Sequence, residues 1–283
     1  MENNQLANQQ TKNVGFSAYV NNPAVKKAIT NTLGEKKALS FMTSIITAVT
    51  NNPMLQECSQ QSILSGALLG ESLGLSPSPQ LGQYYLVPYN DKQKGKVATF
   101  QLGYKGFIQL ATNSGLYNKI NAIPVKQGEL ISFNPLEEDI KLNFIPDEVV
   151  RENTPTIGYV AMFELTNGYR KTIYWSKQKM EHHAERYSKS YAKHNGSSFW
   201  EKDFDTMACK TMLRQLISKW GKMSTEMLMG YNADQSVINA DGSVNYIDSN
   251  VVNNYSDDRK VVDVLWRLVT LHRMFLLELD KSF

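Results

Sequence analysis

Cysteine is nearly absent: Cys58 and Cys209 are the only two in 283 residues, far apart and in no paired-ligand spacing. That excludes a disulfide framework and a sequence-spaced zinc site, and it fits a reducing compartment. No 18-residue run is both uncharged and apolar, which excludes an ordinary transmembrane helix. The polar opening MENNQLANQQTKNVG has no apolar signal-peptide stretch, so a soluble cytoplasmic protein with no membrane association is expected. Phosphate-loop chemistry is missing too. Gly95-Lys96 and Gly221-Lys222 both lack the upstream glycine and the following hydroxyl residue of Gly-x-x-x-x-Gly-Lys-Ser/Thr. Net charge is only +3, with a pI near 8.6, so any anionic partner must be read from where the charge sits.

What is present is a globular composition, 42% hydrophobic and 20% charged, enough for a large core. Residues 1–22 are Asn/Gln-rich and are expected to be a disordered tail. From Pro23 to Ser76 the pattern is helical, with Ala38, Phe41, Met42, Ile45, Ile46 and Val49 on one face. Asn51-Asn52-Pro53 breaks the chain, and Gly74 and Pro77 end a second helix. Tyr84–Tyr89 and Val97–Leu102 read as a hairpin with a basic tip. Tyr104–Thr112 reads as a helix, and Ile120–Val125 and Lys141–Ile145 as strands. The Asn-Gly of Thr166-Asn167-Gly168 joins a second hairpin, Ile157–Leu165 with Tyr169–Trp175. Helices over Lys177–Tyr187 and Asp203–Lys222 follow. The expected fold is α+β, helices packed around a small antiparallel sheet with β-hairpins. The expected organisation is a core over 23–226, a linker over 227–260 rich in Asn, Asp and Ser, and an apolar segment over 261–283.

The charge is unevenly spread. Lys92 to Lys126 holds six lysines and no acid, and Arg170 to Lys222 holds twelve basic residues against five acidic. Gln127–Glu152 holds seven acids and two bases. A solvated face explains one basic run, but both runs are interleaved with aromatics. Phe100, Tyr104, Phe107 and Tyr117 lie in the first; Tyr169, Tyr174, Trp175, Tyr187 and Tyr191 lie in the second. Cations track phosphates while rings stack on bases, at about 1–3 kcal/mol per base. On the helix Asp203–Lys222, Cys209, Met212, Leu213, Leu216, Ile217 and Trp220 form a buried face, and Asp203, Met207, Lys210 and Arg214 a stripe at its edge. Lys210 and Arg214 stand one turn apart, about 6 Å along the axis, with no acid in reach of Arg214 on the same helix. Phosphate contact is the expectation for both.

Three phrases carry a family resemblance: Ala67-Leu-Leu-Gly-Glu-Ser-Leu-Gly-Leu-Ser-Pro77, Leu102-Gly-Tyr-Lys-Gly-Phe-Ile-Gln-Leu-Ala111 with Ser114-Gly115, and Trp200-Glu-Lys-Asp-Phe-Asp-Thr-Met-Ala-Cys-Lys-Thr211 with Arg214. In order and spacing they resemble the RecT family of single-strand DNA annealing proteins of phages and prophages. The resemblance implies a non-enzymatic, ATP-independent protein that binds single-stranded DNA in a basic groove and pairs it with a complement in homologous recombination. It also implies a homo-oligomer, ring or helical filament, along the annealed duplex, a partner exonuclease, and a host single-strand binding protein as a further partner. No cofactor is expected, magnesium at most modulating DNA binding. Lys105, Lys210 and Arg214 carry over as phosphate-binding candidates. The charge and aromatic pattern adds Lys94, Lys96, Phe100, Gln101 and Tyr104 around the first hairpin and helix. It also adds Lys119, Lys171, Arg186, Lys189 and Lys193.

The rival reading is a metal-dependent nuclease built on Glu137, Glu138, Asp139 and Lys141 beside a strand, since two-metal chemistry needs clustered carboxylates. His182-His183 and His194 lack partner ligands at metal spacing and are expected to be exposed. A third reading, a protein-binding scaffold, leaves the basic centre unexplained. The apolar Val261–Leu279 departs from the family pattern and reads as a partner-docking helix or an altered tail.

Overall fold

The computed structural model describes residues 15–239 and 244–246, apart from 93, 189, 195 and 197. The apolar segment over 261–283 and the first fourteen residues lie outside them. The fold is α+β. An N-terminal helical layer comprises α1 (Phe16–Val20), α2 (Pro23–Leu33), α3 (Glu35–Thr50), α4 (Pro53–Gln56) and α5 (Gln60–Ser72). Asn22 caps α2 by accepting from Ala24 N–H, ahead of Pro23 at the first helical position, where a missing N–H costs nothing. The expected tail is therefore too long: Phe16 and Val20 are buried in the common core.

α5 packs on the hairpin of β1 (Tyr84–Asp91) and β2 (Gly95–Leu102), whose register runs from Tyr84↔Leu102 to Asp91↔Gly95. Gly70 on α5 sits against the ring of Tyr84, where any Cβ would collide; Tyr84 in turn stacks on Phe100. The first family phrase is thus a packing motif. α6 (Tyr104–Asn113) leads into β3 (Tyr117–Lys126), which pairs with β6 (Thr156–Leu165), and β6 pairs with β7 (Arg170–Ser176). The β6–β7 turn has Gly168 at φ 84°, and Asn167 Oδ1 accepts from Tyr169 N–H, the turn chemistry its sequence specifies.

Between β3 and β6 the chain makes an excursion holding β4 (Leu130–Asn134), β5 (Asp139–Leu142) and α7 (Glu148–Asn153). The strand expected over Lys141–Ile145 is displaced to β5, and β4 and α7 were not expected. α8 (Lys177–Tyr187), a 3-10 turn (Tyr191–Lys193), α9 (Phe199–Lys202) and α10 (Phe204–Trp220) follow. α10 lies across β3, β6 and β7 and also meets α6, burying Met212, Leu213, Leu216 and Ile217. Trp220, expected on that buried face, is exposed.

The expected linker is the main correction. Its first part is α11 (Thr225–Ala233) and β8 (Ser236–Ile238), with β9 (Val244–Tyr246) pairing to β8. β8 joins the first sheet at Phe100↔Ser236, giving the order β1-β2-β8-β9, and Met227, Ala233 and Ile238 belong to the common core. Polar composition suggested a linker, but a handful of apolar residues at the right register closes this sheet. Among the described residues no helix is long and apolar enough to cross a membrane.

Candidate nucleic-acid interface

The Gly103-Tyr104-Lys105-Gly106 phrase opens α6. A Cβ at Gly103 or Gly106 would run into the backbone of Gly82 and Gln83, and Gly103 N–H donates to Gln83 O at 2.8 Å. The glycines let the helix start press on the preceding chain, and Lys105 is left exposed in its first turn, which contains no acid. Its neighbours are packing residues. Phe107 is buried, and Tyr104, half-buried, reaches Ala122 O with its hydroxyl, whose pKa burial raises. Phe100 is 0% exposed, so it offers no face to a base, and Gln101 is half-buried.

α10 holds the second cluster. Lys210 is buried and donates to Asp234 Oδ1 at 3.2 Å; Arg214 pairs with Asp234 Oδ2. The same carboxylate accepts from Leu102 N–H at 2.9 Å. Asp234, 2% exposed, therefore ties the end of β2, α10 and the end of α11 together. Burial pushes the Lys210 ammonium's pKa down, with Asp234 opposing. This corrects the expectation of two unpaired cations on a surface stripe: the acid comes from across the fold. Lys210 is enclosed and structural in its contacts. Arg214 remains partly exposed, with its guanidinium 4.3 Å from the centre of the Tyr231 ring.

The third cluster runs along α8, at about 100° per residue. Met180 and Ala184 turn inward, and Lys179, His183, Arg186 and Tyr187 share another face. Glu181 and Glu185 fall on the opposite side of the helix by the same periodicity. Lys179 Nζ lies 4.5 Å from the Trp175 ring centre; Trp175 meets His183 at 5.4 Å; His183 meets Tyr187 at 4.6 Å; Arg186 lies 5.4 Å from Tyr187. Three rings in a row, Trp175, His183 and Tyr187, are thus flanked by two cations, Lys179 and Arg186. His183, expected to be an exposed histidine, is a half-buried member of this ladder, with its pKa held down to about 4 by burial and by Arg186 and Arg214. The signal available in sequence was His183 and Tyr187 one turn apart, behind Trp175. Beyond the ladder, Lys193 is exposed, as is Phe199, with Lys202 5.9 Å from its ring centre.

The remaining candidates divide by partner. Lys96 pairs with Glu57, Lys119 with Glu164 at 3.7 Å, and Lys171 with Glu138 while lying 3.6 Å from the centre of the Trp220 ring. Lys94 donates to Asn239 at 2.6 Å. Lys105, Arg186 and Lys193 have no acidic partner among the described residues; Lys189 lies outside them. The acids of the nuclease reading, Glu137, Glu138 and Asp139, line one pocket together with Arg170 and Lys171. Glu138 is held by Lys171, and among the described residues no group of three or more His, Cys, Asp or Glu is placed to hold a metal.

A row of three rings with a cation at each end offers both charge and stacking faces, the two features with which proteins hold single-stranded nucleic acid. The chain belongs to the RecT family, which its residues 39–248 match. It is 38% identical over 254 residues to the uncharacterized protein YqaK of Bacillus subtilis (strain 168), covering 90% of this chain and 81% of that one. It is 28% identical over 251 residues to Protein RecT of Escherichia coli (strain K12), covering 86% of this chain and 90% of that one. Membership implies a part in single-stranded DNA annealing and recombination, and the annealing proteins of this family are not catalytic enzymes. The matched span includes β8 and β9, in agreement with their place in the first sheet.

Proposed function

We propose that this protein binds single-stranded DNA along the α8 ladder and the neighbouring exposed cations, and anneals it to a complement without ATP. The observation that carries the reading is the row of three rings, Trp175, His183 and Tyr187, flanked by Lys179 and Arg186, with Glu181 and Glu185 turned away. Arg214, whose charge acts on His183, adds to the ladder, the exposed Lys193 and Lys105 are further cations for the strand, and Lys210 acts through Asp234 rather than through phosphate. Backbone repulsion is the main barrier to pairing two strands, and a row of cations neutralises it without chemical work. Fidelity comes from Watson–Crick pairing, because stacking and phosphate contact tolerate any base. The protein works in the cytoplasm as a homo-oligomer along the DNA, on single strands supplied by an exonuclease, with host single-strand binding protein as a further partner. It requires no cofactor; magnesium at most modulates binding. The DNA-binding unit is the folded core, and the apolar segment over 261–283 serves to bind a partner.

The test is the salt dependence of binding to oligo-dT. Arg186→Ala and Lys193→Ala should each flatten the slope of log K against log salt by about 0.7, the value for one phosphate contact on a single strand. Trp175→Ala should weaken binding by about 1–3 kcal/mol with the slope unchanged. Wild-type slopes and affinities in all three variants would remove α8 from the interface.

A further inference from the structure

The 127–155 excursion is built in the reverse of the usual way. Its interior is an ion pair: Glu129, 0% exposed, accepts from Arg151 Nε at 2.6 Å, and from the backbone of Lys126 and Ile145. Several of its large apolar side chains face water, while Phe133 packs on Tyr174 and Ile140 and Leu142 are half-buried. Ile131 is 66% exposed, Leu136 87%, Val149 68% and Val150 54%. Exposed apolar groups concentrated in one projection mark a contact surface. Its exposed charges are Glu137, Asp139, Asp147, Glu148 and Glu152 against Lys141, a surface that repels DNA phosphates and suits a protein with a basic face. The N-terminal helical layer of this chain carries exposed basic residues. Residues 23–56, covering α2 to α4, carry four lysines (Lys26, Lys27, Lys36, Lys37) against one acid, with Leu39 65% and Met54 64% exposed. All four lysines are exposed. The two faces belong to different layers: α4 packs on β1, whereas β5 of the excursion packs on β7.

We propose that the acidic, apolar arm of one protomer docks on the α2–α4 face of the next copy. Two different patches meeting make a heterologous, head-to-tail contact, which repeats into a ring or an open helix rather than closing as a dimer. This rests on the oligomeric reading above and adds its two surfaces. The arm contributes α7 with Val149, Val150, Glu148 and Glu152; the receiving face contributes Lys36, Lys37 and Leu39.

Sedimentation velocity of the full chain, with and without a short oligo-dT, tests it. Glu148→Lys with Glu152→Lys, and separately Lys36→Glu with Lys37→Glu, should each raise the concentration needed for assembly by about tenfold or more. Mixing the two variants should restore assembly, because each then supplies the charge the other lacks. Unchanged melting and an unchanged circular dichroism spectrum certify the folds. If either pair fails that check, Leu136→Ser with Val149→Ser must weaken assembly instead. Wild-type assembly in the separate variants overturns the proposal and leaves the oligomer standing, as does broken assembly that mixing does not restore. A wild-type chain that stays monomeric with and without DNA overturns the oligomeric reading itself.

Discussion

Asp234→Ala isolates what the buried carboxylate does. The substitution leaves Lys210 enclosed without its counter-charge, beside Arg214, and leaves Leu102 N–H without its acceptor. Breaking a buried ion pair from one side costs about 3–5 kcal/mol, because the orphaned charge stays buried. The stranded N–H falls within that range rather than adding in full, since a water can enter the space the carboxylate leaves. Against a total stability of about 5–15 kcal/mol this is a large fraction. At roughly 2–4 °C per kcal/mol for a chain of this size, melting should fall by about 6–20 °C. Lys210→Met is the contrast. It removes the buried ammonium but leaves Asp234 paired with Arg214, so it should stay within about 1 kcal/mol of wild type. Thermal unfolding followed by circular dichroism reads both variants, and the oligo-dT salt slope of Lys210→Met should match wild type. The lock is refuted if Asp234→Ala melts within about 2 °C of wild type. A slope flattened by Lys210→Met would return Lys210 to the phosphate contacts.

Two further outcomes follow from local geometry. His183 is held down to about 4, below its ordinary value near 6.5, so between those pH values the unfolded chain binds the extra proton. Its contribution to stability is present above about pH 6.5 and is lost as pH falls towards 4. A bound phosphate favours imidazolium, so DNA binding should take up a proton between those limits; an affinity independent of pH there, relative to His183→Phe, contradicts its place in the interface. Gly106→Ala should cost several kcal/mol, because its Cβ meets the Gln83 backbone rather than a movable side chain. A soluble variant with wild-type urea midpoint would show that the α6 start is looser than described.

Elements specified by local chemistry were legible in the sequence. Asn167-Gly168 marks the second hairpin, aromatic and β-branched runs flanking a polar basic turn mark the first, and α8 is legible over its observed range, Lys177–Tyr187. What escaped depends on distant partners. A helical wheel puts Lys210 and Arg214 on a stripe but cannot see Asp234, which lies on the far side of α11 in a segment whose Asn and Ser content reads as linker. The lysine run 92–126 looked uniformly exposed, yet Lys126 is buried and donates to Thr156, and Lys96 is paired with Glu57. Phe100 was counted among aromatics near charge because strand alternation does not say which face the helices cover. In sequence the excursion shows only the acidic cluster Glu137, Glu138 and Asp139 and a strand-like Lys141–Ile145, because the exposure of Ile131, Leu136, Val149 and Val150 follows no periodicity.

The central claim is unaided annealing, and mixing complementary oligonucleotides with the protein in nucleotide-free buffer tests it most directly. Duplex formation followed by fluorescence should run well ahead of the protein-free control, and the combined Arg186→Ala and Lys193→Ala variant should lose much of that gain. Pairing no faster than the control, or pairing that appears only once ATP is added, would contradict the account.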